Sequence, residues 1–356
     1  CNCYPDDPHY LATLEQEATA IIRRLRRHPS LAIWCGGNEL FNNWSGMTDQ
    51  SLALRLLNAL CYRLSPEIPF NATSPLNGMA HGNYLFYWEG RDIFQLINDS
   101  HFTAYTEFGV PGISPREVLE KIIPPEELFP PRPGTAWEEH HAFGAWDGSP
   151  ATWLGEPTIE RYFGRAQTLD QLIERSSLMQ GEGYKAVFEE ARRQKPYCAM
   201  ALNWCFDEPW PAAANNSLVA YPSVPKPALD QVRRACRPLC ASARIAKFDW
   251  TEGELFEAEV WLLNDRFAAA GPFSFTVTLR AAGQTVEILR WESPAAGQNR
   301  NVAGPTARAA LPAWDTDRFR VEITVEGHPE MDACYTLAYR RAACKQAGTA
   351  PMNITE

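Results

Sequence analysis

Residues 28–40 read HPSLAIWCGGNEL. Pro29 stops whatever helix precedes it, and five apolar residues, Leu31 to Cys35, follow almost at once. A run that is apolar on both faces reads as a strand buried on both sides, the kind that lies parallel to its neighbours under a cover of helices. Gly36 and Gly37 then let the chain turn tightly and approach a ligand closely. Asn38 and Glu39 come next, an amide and a carboxylate at the point where the strand must surface. Spacing alone also permits a plainer reading, a helix-start Glu beside a loop Asn.

The surrounding sequence alternates in the same way. Asp7-Pro8 is an N-cap followed by proline at the first helical position. Leu11, Leu14, Ala18, Ile21 and Leu25 then recur at steps of three and four, and a run of arginines ends the helix at its negative pole. Ala53, Leu56, Leu57, Leu60 and Leu64 predict a second helix, and PFNATSP (69–75) a short strand. HFTAYTEFG (101–109) predicts another strand, with Ser114-Pro115 opening a helix after it. Beyond a proline-rich loop, a long helix is expected over about 168–194, then a strand in YCAMALNW (197–204) and a helix in PKPALDQVRRA (225–235). The result is an α/β fold, either an open doubly wound sheet or a closed eightfold barrel. No GxGxxG or Walker pattern follows any strand, which lowers the dinucleotide option. The polar residues of interest sit just past strand ends, where barrel enzymes carry their chemistry.

From about residue 240 the period changes to two. LFEAEVWLLND, FSFTVTLRAAG, QTVEILRW and RFRVEITVEG alternate with turn residues between them, which predicts an all-β, immunoglobulin-like sandwich. The boundary falls near Arg237-Pro238.

The bulk numbers fit a globular protein: 356 residues, 45% hydrophobic and 21% charged. A formal net charge of −10 argues against a nucleic-acid backbone or an anionic membrane as the main partner. No apolar run approaches the roughly 20 residues needed to span a bilayer. The 12 Trp, 12 Tyr and 17 Phe suit a sugar-binding protein and a large core equally. The ten cysteines are irregularly spaced; Cys1 with Cys3 and Cys236 with Cys240 form no paired CxxC module, so no zinc site is expected. Cys35, Cys61 and Cys198 lie in apolar segments and read as buried thiols. The compartment stays open.

A second carboxylate gives Glu39 a partner. Glu107, in AYTEFGV, also ends an apolar strand and is followed by Phe108-Gly109. Two carboxylates at one barrel mouth are the minimal apparatus for breaking a glycosidic bond. RRLRRHPSLAIWCGGNE (23–39) resembles the acid/base strand of the β-mannosidase branch of glycoside hydrolase family 2, and TEFG (106–109) its nucleophile strand. WCFDEPWP (204–211) is similar to the family's stretch at the end of the eighth strand, matching Trp204, Trp210 and Pro211, with Asp207-Glu208 in place of an Asn-Asp pair. CYPDDP (3–8) resembles the segment after the third strand.

The resemblance spans about residues 1–240 and implies a retaining exo-β-glycosidase, most simply a β-mannosidase, with β-galactosidase, β-glucosaminidase or an inactive sugar-binding fragment as alternatives. Glu39 matches the acid/base, Glu107 the nucleophile, Asn38 the ligand of the sugar 2-hydroxyl, and Trp204 the aromatic floor. The carboxyl groups of such a pair are expected about 5–5.5 Å apart. Where the family has a His-x-Trp element, this chain has MAHGNYLFYWEG (79–90), with His81 and Trp88 further apart. His81 is a candidate sugar ligand or a loop histidine held by backbone groups, and Trp88 a stacking residue or a barrel cap. His140, His141 and Trp146 read as loop or rim residues, since adjacent histidines face different ways.

The chain is thus expected to hold a partial (β/α)8 TIM barrel, strands four to eight, in residues 1–238. The sandwich is expected in 239–345 and a tail in 346–356. No cofactor or metal is expected. The expected partners are a glycoside or oligosaccharide substrate and the missing N-terminal domains of the same polypeptide, with no nucleic acid and no membrane.

Overall fold

The computed structural model describes residues 3–144 and 153–342. Cys1, Trp146, the 346–356 tail and the end of the expected sandwich lie outside the described residues. The chain divides into two compact units. One comprises Cys1–Gly82, Phe102–Phe108 and Tyr197–Asn203; the other comprises Asn83–His101, Gly109–Pro196 and Trp204–Glu356.

In the first unit, helix Pro8–Leu25 begins where the Asp7 side chain accepts the Tyr10 N–H, and it ends on Arg23 and Arg24. Its Ala18 and Ile22 pack on Leu60 and Cys61 of helix Leu52–Leu64, with Trp34 and Phe70 completing the cluster. A second cluster of Leu40, Met47 and Leu54 buries the base of the loop after Glu39. Five short strands, all parallel, carry the rest. Trp34–Cys35 pairs with Phe70–Asn71, and Met79–His81, Ala104–Phe108 and Ala201–Asn203 form one sheet.

The parallel arrangement follows the sequence, but the depth of burial does not. Ala32 and Cys35 are exposed, and Leu31, Ile33 and Trp34 only half-buried. Helices cover one face of this strand, and among the described residues of the unit the Cys35 face is left open. Cys35 is therefore an exposed thiol, contrary to expectation, whereas Cys61 and Cys198 are buried. The glycines also act differently from expectation. Gly36 and Gly37 do not take positive φ. A Cβ on Gly36 would stand 2.5 Å from the Ala72 carbonyl oxygen, and one on Gly37 2.3 Å from the Tyr4 hydroxyl. They admit neighbouring chain, and the turn itself is made by Glu39.

In the second unit, helix Leu169–Arg193 starts on a Thr168 side chain that accepts the Gln171 N–H. It is buried along nearly all of its second half. Two sheets follow; Leu255–Asn264, Phe273–Ala281 and Arg318–Val325 alternate in burial as expected, whereas the edge strand Gln284–Ser293 is exposed over its first four residues and does not. The smaller is antiparallel, Leu239–Ile245, Leu255–Asn264 and Val302–Ala310. The larger holds Asp249–Thr251, Ala333–Arg340, Arg318–Val325, Phe273–Ala281 and Gln284–Ser293 in that order, with its first pair parallel. The sheets face each other. Phe256 of one sets its ring edge-on to Phe319 of the other, and the Tyr335 hydroxyl accepts the Ala243 N–H across the gap at 2.7 Å. No helix among the described residues is long and apolar enough to cross a membrane.

Candidate active site

The parallel pairing that starts at Trp34 runs on past the glycines and fixes Glu39. Ser74 N–H donates to the Gly37 carbonyl (2.9 Å), Glu39 N–H to the Ser74 carbonyl (2.7 Å), and Leu40 N–H to the buried Thr73 hydroxyl (2.9 Å). Between these bonds Glu39 adopts φ 53°, a left-handed conformation unusual for a residue with a Cβ. Such strain survives only where the surroundings over-determine it, and it clusters at functional sites.

Glu107 reaches the same place from the other sheet. Ala80 pairs with Tyr105, but His81 pairs with Glu107, so Thr106 is one residue too many for its partner strand. A bulge of this kind re-aims a side chain. The Gly82 N–H donates to the Glu107 carbonyl at 2.9 Å and closes the strand end.

His81 joins the two. Its Nδ1 lies 2.8 Å from Glu39 Oε1 and 3.4 Å from Glu107 Oε2, and its Nε2 lies 3.0 Å from the Ser74 hydroxyl. His81 is thus held by side chains rather than by backbone groups. One ligand atom from each of Glu39, His81 and Glu107 lies within 4.8 Å of the others. The imidazole side chain is 7% exposed, against 23% for Glu39 and 17% for Glu107. Both carboxylates therefore stay open to an incoming molecule while the base between them is locked. Three such donors could also grip a divalent cation, although Nδ1 already shares a hydrogen bond with Glu39.

A cavity of about 810 Å³ opens beside Glu39, lined by Phe41, Trp44, Leu76 and Met79 among others. Trp44 is 69% exposed there. Asn38 is exposed, with its backbone bridged to Ser74. Trp204 and Trp88 belong to the second unit. Trp204 is exposed, edge-on to Tyr84 at 5.6 Å and tilted on Trp153 at 6.0 Å. Trp88 stands exposed on a two-residue strand, Tyr87–Trp88. His140 stacks on Trp210, and its Nδ1 bonds the Pro211 carbonyl, whereas His141 tilts onto Trp153, so the pair does divide. Sequence reasoning missed Ser74, Phe41 and Trp44. A hydroxyl one residue before Pro75, in a stretch otherwise read only as a strand, was the available signal.

No family model matches the chain. Curated relatives do. β-Mannosidase B of Aspergillus flavus is 24% identical over 288 residues, covering 70% of this chain and 33% of the relative. The Emericella nidulans β-mannosidase B is 25% identical over the same span. The chain therefore spans about a third of the length of these relatives. Among solved structures, a β-D-mannosidase from Dictyoglomus thermophilum superposes with a TM-score of 0.74 at 22% identity, covering 94% of this chain and 41% of that one. An exo-chitosanase from Amycolatopsis orientalis gives 0.69 at 14% identity, covering 92% and 39%. Sequence relatives and mixed helix-and-sheet fold thus agree with the motifs around Glu39 and Glu107: the chain is similar in sequence and in fold to β-mannosidases.

Proposed function

We propose that this chain carries the catalytic apparatus of a retaining exo-β-glycosidase that releases terminal β-D-mannosyl residues, with Glu107 as nucleophile and Glu39 as acid/base. The observation that carries the reading is the approach of the two carboxylates, with ligand oxygens within 4.8 Å and one histidine nitrogen serving both. That separation suits direct attack on sugar, near the 5–5.5 Å of retaining pairs and short of the roughly 6.5–9.5 Å that admits a water. Glu107 attacks the anomeric carbon and forms a glycosyl ester while Glu39 gives its proton to the departing oxygen. Glu39 then takes a proton from water, which opens the ester. His81, with Nδ1 toward both carboxylates and Nε2 on the Ser74 hydroxyl, keeps them apart and aimed. Asn38 meets the 2-hydroxyl, and Trp204 and Trp88 stack on substrate.

The architecture follows the same reading. Residues 1–238 supply strands four to eight of a (β/α)8 barrel, and an immunoglobulin-like sandwich follows from residue 239. The remaining strands and N-terminal domains are contributed by the same polypeptide. Mannose is preferred because the sequence relatives reported above are named β-mannosidases. The fold likeness to an exo-chitosanase supports a second reading, release of glucosamine, on the same two carboxylates.

The test is trapping of the complete gene product with 2-fluoro-mannosyl fluoride and mapping of the labelled peptide. A label on Glu107 is expected. No label with any 2-fluoro glycoside overturns the catalytic reading in favour of a sugar-binding protein. Faster hydrolysis of nitrophenyl glucosaminide than mannoside overturns only the choice of sugar.

A further inference from the structure

A groove of about 920 Å³ in the second unit shares no residue with the Glu39 cluster. Its volume lies within the roughly 300–1,000 Å³ typical of small-molecule sites. One wall is a stripe of helix Leu169–Arg193, on which Asp170, Glu174 and Glu182 present acceptors. The other is a row across the larger sheet. Arg280 pairs directly with Arg320, and Arg320 with Thr336, so two guanidinium groups are set side by side on adjacent strands. Like charges in that position repel unless an acceptor lies between them. Arg280 reaches Glu322 at 3.4 Å, and Arg318 crosses the groove to Glu174 at 2.7 Å.

Glu182 is the second observation. It is 2% exposed; one oxygen accepts the Thr336 N–H at 2.8 Å and the other has no partner. A buried acceptor left unpaired costs about 1–3 kcal/mol, more when charged, and calls for a donor. Asp170 is held by Arg116 and Glu174 by Arg318, so on the helix wall the need for a donor falls on Glu182, while on the sheet wall the exposed Arg320 offers donors. Three carboxylates (Asp170, Glu174, Glu182) balance three guanidinium groups (Arg280, Arg318, Arg320), so the groove selects neither a polyanion nor a polycation. Hydroxyl groups, which donate and accept at once, satisfy both walls.

We propose that this groove is a second, non-catalytic carbohydrate site that binds a neutral saccharide chain between the helix and the Arg280–Arg320 row. The site would hold substrate chains to the protein without cutting them. It stands independently of the catalytic reading of Glu39 and Glu107.

The test is methyl NMR on the full chain in a Glu107→Gln background, so that the probe is not consumed. β-1,4-Mannotriose is titrated while the lining methyls of Ile173 and Leu178 are followed. Saturable shifts are expected, with Kd raised about tenfold by Arg320→Ala through loss of a charge-assisted hydrogen bond. Arg320 is exposed, so that variant keeps the fold, and Gln231→Ala on the opposite wall provides a second variant expected to weaken binding. Unmoved methyls, shifts produced by inorganic sulfate at lower concentration than by mannotriose, or an Arg320→Ala protein that binds mannotriose as well as its parent each overturn the proposal. Failure of trapping at Glu107 would leave these shifts untouched, so the two readings fail separately.

Discussion

His81 faces Glu107 across the parallel ladder because Thr106 is surplus to it. In a regular register His81 would pair with Thr106, and the carboxylate would fall on the alternate face of the sheet. The irregularity places one imidazole nitrogen within reach of both Glu39 and Glu107.

The expected result of His81→Ala is a fall in kcat/KM of about 10²–10³, because both carboxylates lose the group that fixes their geometry. Ser74→Ala, which frees only the far nitrogen, should cost less than about tenfold. The measurement that separates positioning from folding is the pH–rate profile. Loss of the Nδ1 bond should displace at least one limb for His81→Ala, whereas a merely structural role would lower the plateau and leave both limbs in place.

The two carboxylates should fail in different ways. Glu107→Ala should lose several orders of magnitude on every substrate. Glu39→Ala should retain more activity on dinitrophenyl glycosides, whose leaving group needs no proton, and lose about 10²–10⁴ on poor leaving groups. With azide added, Glu39→Ala should yield a β-glycosyl azide and Glu107→Ala an α-azide. The same anomer from both variants would contradict the assignment.

Much of this site was legible because each carboxylate ends an apolar strand, and the resemblance of NE and EFG stretches paired them. The place of His81 between them is not legible in the sequence, since a bulge at Thr106 leaves no mark in a hydrophobic pattern. Gly36 and Gly37 misled for a related reason. Their role depends on Ala72 and Tyr4, which approach through tertiary packing that spacing does not reveal. Cys35 was misjudged because an apolar run predicts burial on both faces, and the Cys35 face is open. The strands beyond residue 240 are the easiest to read, since period-two alternation and turn residues specify most of them locally.

Gly36→Ala would press a Cβ against the Ala72 carbonyl at 2.5 Å, and backbone cannot swing aside as a side chain can. Overpacking of this kind costs about 1–3 kcal/mol. Gly46→Ala, where nothing lies within 4 Å, carries only the penalty of its positive φ. The urea midpoint should therefore fall further for Gly36→Ala. Equal midpoints would show that the strand pair relaxes freely.

The left-handed backbone at Glu39 gives a second stability test. A non-glycine residue held at φ 53° stores roughly 1–2 kcal/mol that glycine does not. Glu39→Gly and Glu39→Ala remove the same carboxylate, yet Glu39→Gly should be the more stable by about 1 kcal/mol. Thermal unfolding of the two variants side by side measures the difference. If Glu39→Ala is the more stable, the strain is absent.

Glu182 predicts the pH dependence of the second unit. Burial, partly offset by Lys185 and by the Thr336 N–H, pushes its carboxyl from 4.5 up to about 7, and Glu189 pushes the same way. A carboxyl whose folded pKa exceeds its unfolded value binds its proton more tightly in the native state. Its favourable contribution is complete below pH 4.5 and is lost as pH rises to about 7. A difference of that size corresponds to roughly 3 kcal/mol. Glu182→Gln, which mimics the protonated form, should match the parent near pH 4 and exceed it by up to this amount near pH 8. Urea titrations across that interval should give converging curves at low pH; parallel curves would mean that Glu182 keeps an ordinary pKa in the folded chain.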